Sequence, residues 1–452
     1  VSAQPDGAEL LALAERVVAL AAGDEQVEAV VVRDLGTEIK VYEGEIESLS
    51  SAQSQGIGIR VIKGGRQGFA YAGTLDVDVA AETLAEARDN AGFGTVDEFA
   101  GLAEPDGVAP AELPLWSDAL ASFPAARKVA LALELERAVR GADPRISGIE
   151  SAEYVDSMSE AAIVTTTGIR AYSRDTGCYV STYAMAEQDG EVQTGFGFSV
   201  GRDPAELDVD RAATDAAERA TRMLGATKPR SERLTVVLDP WVTAQFLGIL
   251  AFTLNGESVL KGRSLFADRL GEEVASPLVT LVDDPTDIRA FTATEIDGEG
   301  LATRRNVLID GGRLERFVHN AYTARRAGTV STGSAVRGFK STPGVGCMAT
   351  SLVPGSQGQA ELVRLAGEGV LVQEVAGLHS GVNPVSGDFS TGAEGLRIRG
   401  GELAEPVREF TIASTLQKML RDVVAVGDDL QWLPMPAAGV SVVITDVTVS
   451  GA

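Results

Sequence analysis

Histidine is nearly missing from this chain of 452 residues: there are two, His319 and His379, sixty positions apart. A zinc site of the HExxH kind needs two histidines one helical turn apart, so none can be assembled from this chain alone. Cysteine is as scarce. Cys178 and Cys347 have neither CxxC nor zinc-ribbon spacing and make no disulfide framework, which suits a reducing cytosol. Positive charge is short: 39 lysines and arginines against 65 acids give a formal net charge of −26. A surface this negative repels phosphate backbones and anionic lipid, so no direct nucleic-acid binding and no membrane binding is expected. No apolar run reaches the roughly 18 residues of a membrane span. The longest, WVTAQFLGILAFTL from Trp241 to Leu254, is too short and carries a glutamine. The first residues lack the basic region of a secretion signal, and the chain opens on Val1, as a trimmed chain would. A cytoplasmic protein is expected.

What is present is a duplicated first half. The apolar spacing of Leu10, Leu13, Val17, Val18 and Leu20 predicts an amphipathic helix over Glu9–Ala22. Four or five short strands follow, cut by turn pairs such as Leu35-Gly36, Glu43-Gly44 and Gly64-Gly65, and a helix closes the unit. The same script recurs from a helix over Ala119–Arg140 to LDVDRAATDAAERATRML. Two helix–meander–helix units building one α+β domain over residues 1–230 are expected. The polar segment ATKPRSERL marks the boundary. Residues 231–452, with their glycines and short β-branched runs, predict a β-rich, barrel-like domain with a few helices, one of them near Thr415–Val424.

Chemistry is hard to find in this chain taken alone. There is no GxSxG nucleophile elbow, and the glycines of Gly381–Gly401 do not run in dinucleotide-binding order. Cys347 reads as a small, partly buried residue rather than a nucleophile paired with His319. Asp283-Asp284 reads as a strand ending in an Asp-Pro turn rather than a cation site.

The second half carries two ordered motifs. One is GVNPVSGDFSTGAEGLRIRGGELAEPVREFTIA, with Asn383, Ser386, Gly387, Asp388, Phe389 and Ser390 at its head and Gly427-Asp428-Asp429 further on. The other is IDGEGLATRRNVLIDGGRLERFVHNAYTARRAGTVSTGSA, with Asp297, Glu299, Tyr322, Arg325 and Ser331-Thr332-Gly333. Together they resemble the TldD/PmbA family, and within it the PmbA (TldE) branch; EGEIESLSSAQSQGIGIRVIKGGRQGFAY in the first half is similar to the family's N-terminal domain. The resemblance implies a cytoplasmic metallopeptidase built as a heterodimer and acting on unfolded peptides, its zinc held by an HExxxH helix and a distant cysteine of the TldD-like subunit. Where that helix would lie, this chain has Phe252, Asn255 and Glu257, and LQWLPMPAAGVSVVITD has no cysteine.

The resemblance therefore implies a subunit with no catalytic residue, no metal and no cofactor of its own, the zinc being expected on a TldD-like partner. Asn383, Ser386, Gly387, Asp388, Phe389, Ser390, Tyr322 and Arg325 are its candidates for the peptide chamber or the subunit interface, and the glycine-rich stretch reads mainly as turns and interface. The alternative is a non-enzymatic homodimer that binds peptides or assists assembly.

Overall fold

The computed structural model describes residues 7–452; Val1–Asp6, part of the stretch considered as a secretion signal, lie outside the described residues. Helix α1 (Gly7–Val18) leads into strands β1 (Gln26–Tyr42), β2 (Glu45–Lys63) and β3 (Arg66–Ala72), and α2 (Val77–Phe93) closes the first unit. The second runs through α3 (Asp118–Ala121), α4 (Ala125–Ala142), β4 (Ile146–Thr165), β5 (Arg170–Gln188), β6 (Glu191–Gly201) and α5 (Val209–Arg222). The strand order β3-β2-β1-β4-β5-β6 joins the two meanders through β1 and β4 into one six-stranded sheet.

Each meander has three long strands rather than four or five short ones. Leu35-Gly36 is not a turn: Gly36 sits in the middle of the sheet, opposite Ala52 on one side and Ser157 on the other. The turns fall where two consecutive residues take positive φ, at Glu43-Gly44 (53° and 79°) and Gly64-Gly65 (57° and 71°), as tight hairpins of the primed type require. The helix expected over Ala119–Arg140 is two helices. Pro124 stands at the N-cap of α4, where its missing N–H costs nothing, whereas inside a longer helix it would break the ladder.

Both faces of the sheet are covered where β1 packs, while the first part of β2 is exposed. Period-two alternation turns Val27, Ala29 and Val31 of β1 toward the helices, into one cluster with Ile57, Ile59, Leu10 and Leu84. The intervening Val30 packs on Leu301 and Ala321 from the second half of the chain. The third strand of each meander lies so close to its closing helix that only glycine fits. A Cβ on Gly68 would stand 2.0 Å from the Ala87 carbonyl of α2, and one on Gly197 would stand 1.9 Å from the Ala212 carbonyl of α5.

The second half is built on a closed five-strand barrel. Strand β7 (Glu232–Leu238) pairs with Gly369–Ala376 on one side and Val442–Ser450 on the other. Asp388–Arg399 and Glu402–Thr415 continue the sheet, and Ile412 opposite Val449 closes it. Helix content of 25% against 40% strand makes the whole an α+β protein, as expected. Helix α6 (Pro240–Thr253) buries Val242, Leu247 and Leu250 in the cluster that holds the barrel residues Val236, Val370 and Ile412. Among the described residues, no helix is long and apolar enough to cross a membrane.

Candidate functional site

The end of α6 corresponds to the position where the resemblance expects the metal-binding helix of TldD-like chains. Asp239 starts α6 by accepting the Trp241 N–H at 3.1 Å, and Pro240 occupies the first turn. After Leu254 the chain turns into α7 (Gly256–Leu260). Asn255 is 6% exposed and serves as the N-cap of α7, its Oδ1 accepting the Ser258 N–H at 2.7 Å. Glu257 pairs with Lys261 at 2.5 Å. Phe252 carries no ligating atom and is 49% exposed. A zinc ion does not fit this set. His319 lies under α7, where a Cβ on Gly256 would stand 2.2 Å from its Nδ1. Its ring hydrogen-bonds with the Thr323 hydroxyl at 3.2 Å, and burial holds it below the usual imidazole range.

Phe252 and Ile249 of α6, with Leu378, Val382 and Pro384, line an open apolar groove of about 460 Å³, and His379 and Gln245 stand at its border. One wall of this groove is the glycine-rich stretch. Asn383 organises that wall: its Oδ1 accepts the N–H groups of Val385 (2.9 Å) and Ser386 (3.2 Å), and its carbonyl accepts the Gly387 N–H at 2.8 Å. The Ser386 hydroxyl donates to the Asp388 carboxylate at 2.7 Å. Gly387 has a φ of 85°, and a Cβ there would meet Gln417 Oε1 at 2.0 Å. Asp388 and Ser390 are exposed. Phe389 points the other way, as alternation along the strand demands, and is a core side chain 3% exposed against Phe246. The stretch is a self-bonded turn that starts a barrel strand.

Tyr322 and Arg325 fall elsewhere, on α8 (Ala321–Ala327), in the junction between the sheet and the second half. The Tyr322 hydroxyl donates to Asp97 at 2.7 Å. Arg325 donates to the carbonyls of Phe99, Gly101 and Leu102 at 2.9, 2.6 and 3.2 Å. Both side chains clamp the connection after α2. Beside them, Tyr322, Arg326, Glu257 and Arg60 line a cleft of about 660 Å³.

Under that cleft lies a buried group of charges in which Glu299 and Asp297 of the second motif meet Glu28, Arg60 and Arg337, which belong to neither of the two motifs. Glu28 of β1 accepts from Arg60 of β2 at 3.0 and 2.8 Å and from Arg337 of the second half. Glu299 stands 3.5 Å from Arg60 and accepts the Ala321 N–H at 2.8 Å. Burial opposes the charge on Glu28, yet the two guanidiniums hold it below the ordinary carboxylate range. The nearby Asp297 accepts three backbone N–H groups, from Glu299, Leu301 and Ala335. Burial, and then the Glu299 charge, push it up to about 7 all the same. The signal was available: Glu28 and Arg60 interrupt the apolar runs EAVVV and IGIRVI.

The remaining candidates are structural. Strand Leu281–Asp283 does end at the aspartate pair. Asp283 accepts the N–H groups of Met348 and Ala349, and burial raises its carboxyl to about 6. Burial also drives the Cys347 thiol well up, with Asp283 adding to the effect, which suits an inert thiol rather than a nucleophile. Among the described residues, no three His, Cys, Asp or Glu side chains converge as a metal site would require.

A surface the motifs did not indicate is the free edge of β2. Its first ten residues, Glu45–Ser54, are exposed. Among the described residues they pair with β1 only, because β3 reaches no further than Ile57. The opposite edge of this stretch therefore presents backbone groups with no partner among the described residues, beside the exposed Ile46 and Leu49.

Comparison with known proteins gives a consistent result. Three successive domain models match: PmbA/TldA metallopeptidase domain 1 over residues 27–91, the central domain over 118–224 and the C-terminal domain over 231–451. The metalloprotease PmbA of Escherichia coli O157:H7 is 27% identical over 429 residues, which cover 94% of this chain and 92% of that protein. A proposed modulator of a DNA gyrase from Thermotoga maritima superposes with a TM-score of 0.90 at 25% identity, covering 97% of this chain and 99% of its own. TldE from Thermococcus kodakarensis shares the fold, with a TM-score of 0.89 at 24% identity over 99% and 100% of the two chains.

Proposed function

The chain belongs to the PmbA/TldD family of metallopeptidases, and from that premise we propose that it is the metal-free subunit of a two-subunit zinc peptidase acting on unfolded peptides. The corner between α6 and α7 carries this reading. Asn255 is buried as the cap of α7, Phe252 has no ligating atom, and the single carboxylate of Glu257 makes no metal site by itself. The zinc, and the metal-activated water that attacks the peptide bond, are assigned to a TldD-like partner. This chain contributes walls and docking surfaces.

The free edge of β2 supports the peptide half of the proposal. An extended chain can add there as a further strand through main-chain hydrogen bonds, which bind without demanding a sequence. The apolar groove beside Phe252 is of the kind that takes a side chain of the peptide or of the partner.

Peptidase assays on an unfolded peptide test the proposal directly. The chain alone, with zinc, is expected to be inert, and a TldD-like subunit plus zinc and this chain to cleave. Metal-dependent cleavage by this chain alone would overturn the reading. If native mass measurement finds homodimers only and the mixture gains no activity, the non-enzymatic binding protein takes its place.

A further inference from the structure

The free edge of β2 has two unlike sides. Residues opposite one another on neighbouring strands share a face of the sheet, so the register assigns each side chain. Leu49 lies opposite Ile39 and Ile46 opposite Val41, on the side where Ile39 and Val41 pack under α4. Leu35, opposite Gln53, points the same way. Leu35, Ile46 and Leu49 are 36%, 49% and 49% exposed. On the other side Ser50 lies opposite Glu38 and Ser48 opposite Lys40, and Lys40 in turn lies opposite Glu153. Glu47 reaches this side too, 3.5 Å from the Lys40 ammonium.

This second side is negative. Lys40 stands among the carboxylates of Glu47, Glu38 and Glu153, and the last two form no ion pair among the described residues. Between Lys40 and Arg60 the chain carries Glu43, Glu45 and Glu47 and no lysine or arginine. The side chains of Ser48, Ser50, Ala52 and Ser54 on this side are short, so a long side chain from an added strand can lie across them toward Glu38. Edge strands are commonly guarded by lysine or proline, and residues 48–54 contain neither.

We propose that this edge selects an extended peptide segment whose alternate side chains are apolar and basic. The apolar ones lie beside Leu49 and Ile46, and the basic ones cross the serines toward Glu47 and Glu38. Main-chain hydrogen bonds are indifferent to sequence, but period-two alternation sends successive side chains to opposite sides, and here the two sides differ. A second copy of this chain fits less well, because it brings a like-charged edge against this one, whereas a basic strand is drawn to it. The inference rests on the reading of this edge as a peptide surface, and not on the assignment of zinc to a partner.

The test is binding of fluorescein-labelled peptides to the whole chain, without partner or zinc, read by anisotropy. The peptide KVKVKVK puts its lysines on one side and its valines on the other. EVEVEVE reverses the charge, and KKVVVKK keeps the composition but breaks the alternation. Saturable binding of KVKVKVK is expected, with EVEVEVE about tenfold or more weaker and KKVVVKK several-fold weaker. The double variant Glu38→Gln with Glu47→Gln, and separately Leu49→Asn, should each weaken KVKVKVK about threefold. Bound KVKVKVK should slow amide hydrogen exchange over residues 48–54. No saturable binding, equal affinity for KVKVKVK and KKVVVKK, or slowed exchange confined to other segments would overturn the proposal. So would a dimer in native mass measurement that Ser50→Lys converts to monomer, since a second copy would then hold the edge. Selective peptide binding beside an inert peptidase mixture would uphold the proposal and sink the peptidase reading, and cleavage without this selectivity would do the reverse.

Discussion

The glycine-rich turn at Asn383–Asp388 and the charge cluster around Glu28 and Arg60 make opposite kinds of structure. The turn is conspicuous in the sequence, and its hydrogen bonds stay within a few residues of Asn383, apart from its ties to Leu416 and Gln417. The cluster is inconspicuous, yet its members come from β1, β2 and two loops more than two hundred residues away. A motif that identifies a family need not be what holds the molecule together. The buried charges are sensitive in a way the turn is not, because each one left alone in a low-dielectric interior is costly.

The largest effect should come from the cluster. Arg60→Met leaves Glu28 with Arg337 only and Glu299 without its cation, and removing one partner of such a buried set costs about 3–5 kcal/mol. Chemical denaturation should show that loss, with the junction between the two halves opening first. A loss under about 1 kcal/mol would mean that the cluster does not tie the halves together.

A second effect is a matter of sign. Asp297 titrates near 7 in the folded chain, against an ordinary value of 3.8, so the folded state holds a proton that the unfolded chain has already released. Its stabilising contribution is complete below about pH 4 and is lost as pH rises through about 7. Asp283, raised to about 6, acts in the same direction. Denaturation midpoints measured between pH 5 and 8 should therefore fall less steeply for Asp297→Asn than for the parent chain. An unchanged slope would remove Asp297 from this role.

The turn should give the smallest effect. Gly387→Ala places a Cβ against Gln417 in a positive-φ conformation and should cost about 1–2 kcal/mol. Asp388→Asn, on an exposed side chain, should stay within about 0.5 kcal/mol. Thermal denaturation of the two variants separates these cases, and a larger loss for Asp388→Asn would show that the turn bears more than its own geometry.

Much of this protein could be read from single stretches of chain. The two helix–meander–helix units follow from local period and spacing, and the tight turns from Glu43-Gly44 and Gly64-Gly65. Leu35-Gly36 misled because a glycine in a polar stretch marks a turn only if no strand flanks it on both sides, and here β2 and β4 do. Pro124 splits the helix expected over Ala119–Arg140, because a proline ring inside a helix breaks its hydrogen-bond ladder. The placement of the candidate site residues was not legible. Phe389 faces the core and Asp388 the solvent by strand alternation, while Tyr322 and Arg325 act on a connection more than two hundred residues upstream.

The sequence by itself determined the family, the fold class and the shortage of metal ligands, because periodicity, motif order and residue counts are properties of the chain alone. Only the tertiary structure decided which groups meet: that Asn255 is used up as a cap, that β2 leaves an edge open, and that Glu28, Arg60, Glu299 and Arg337 share one buried volume. Those outcomes depend on burial and on long-range contact, which exist only once the chain has folded.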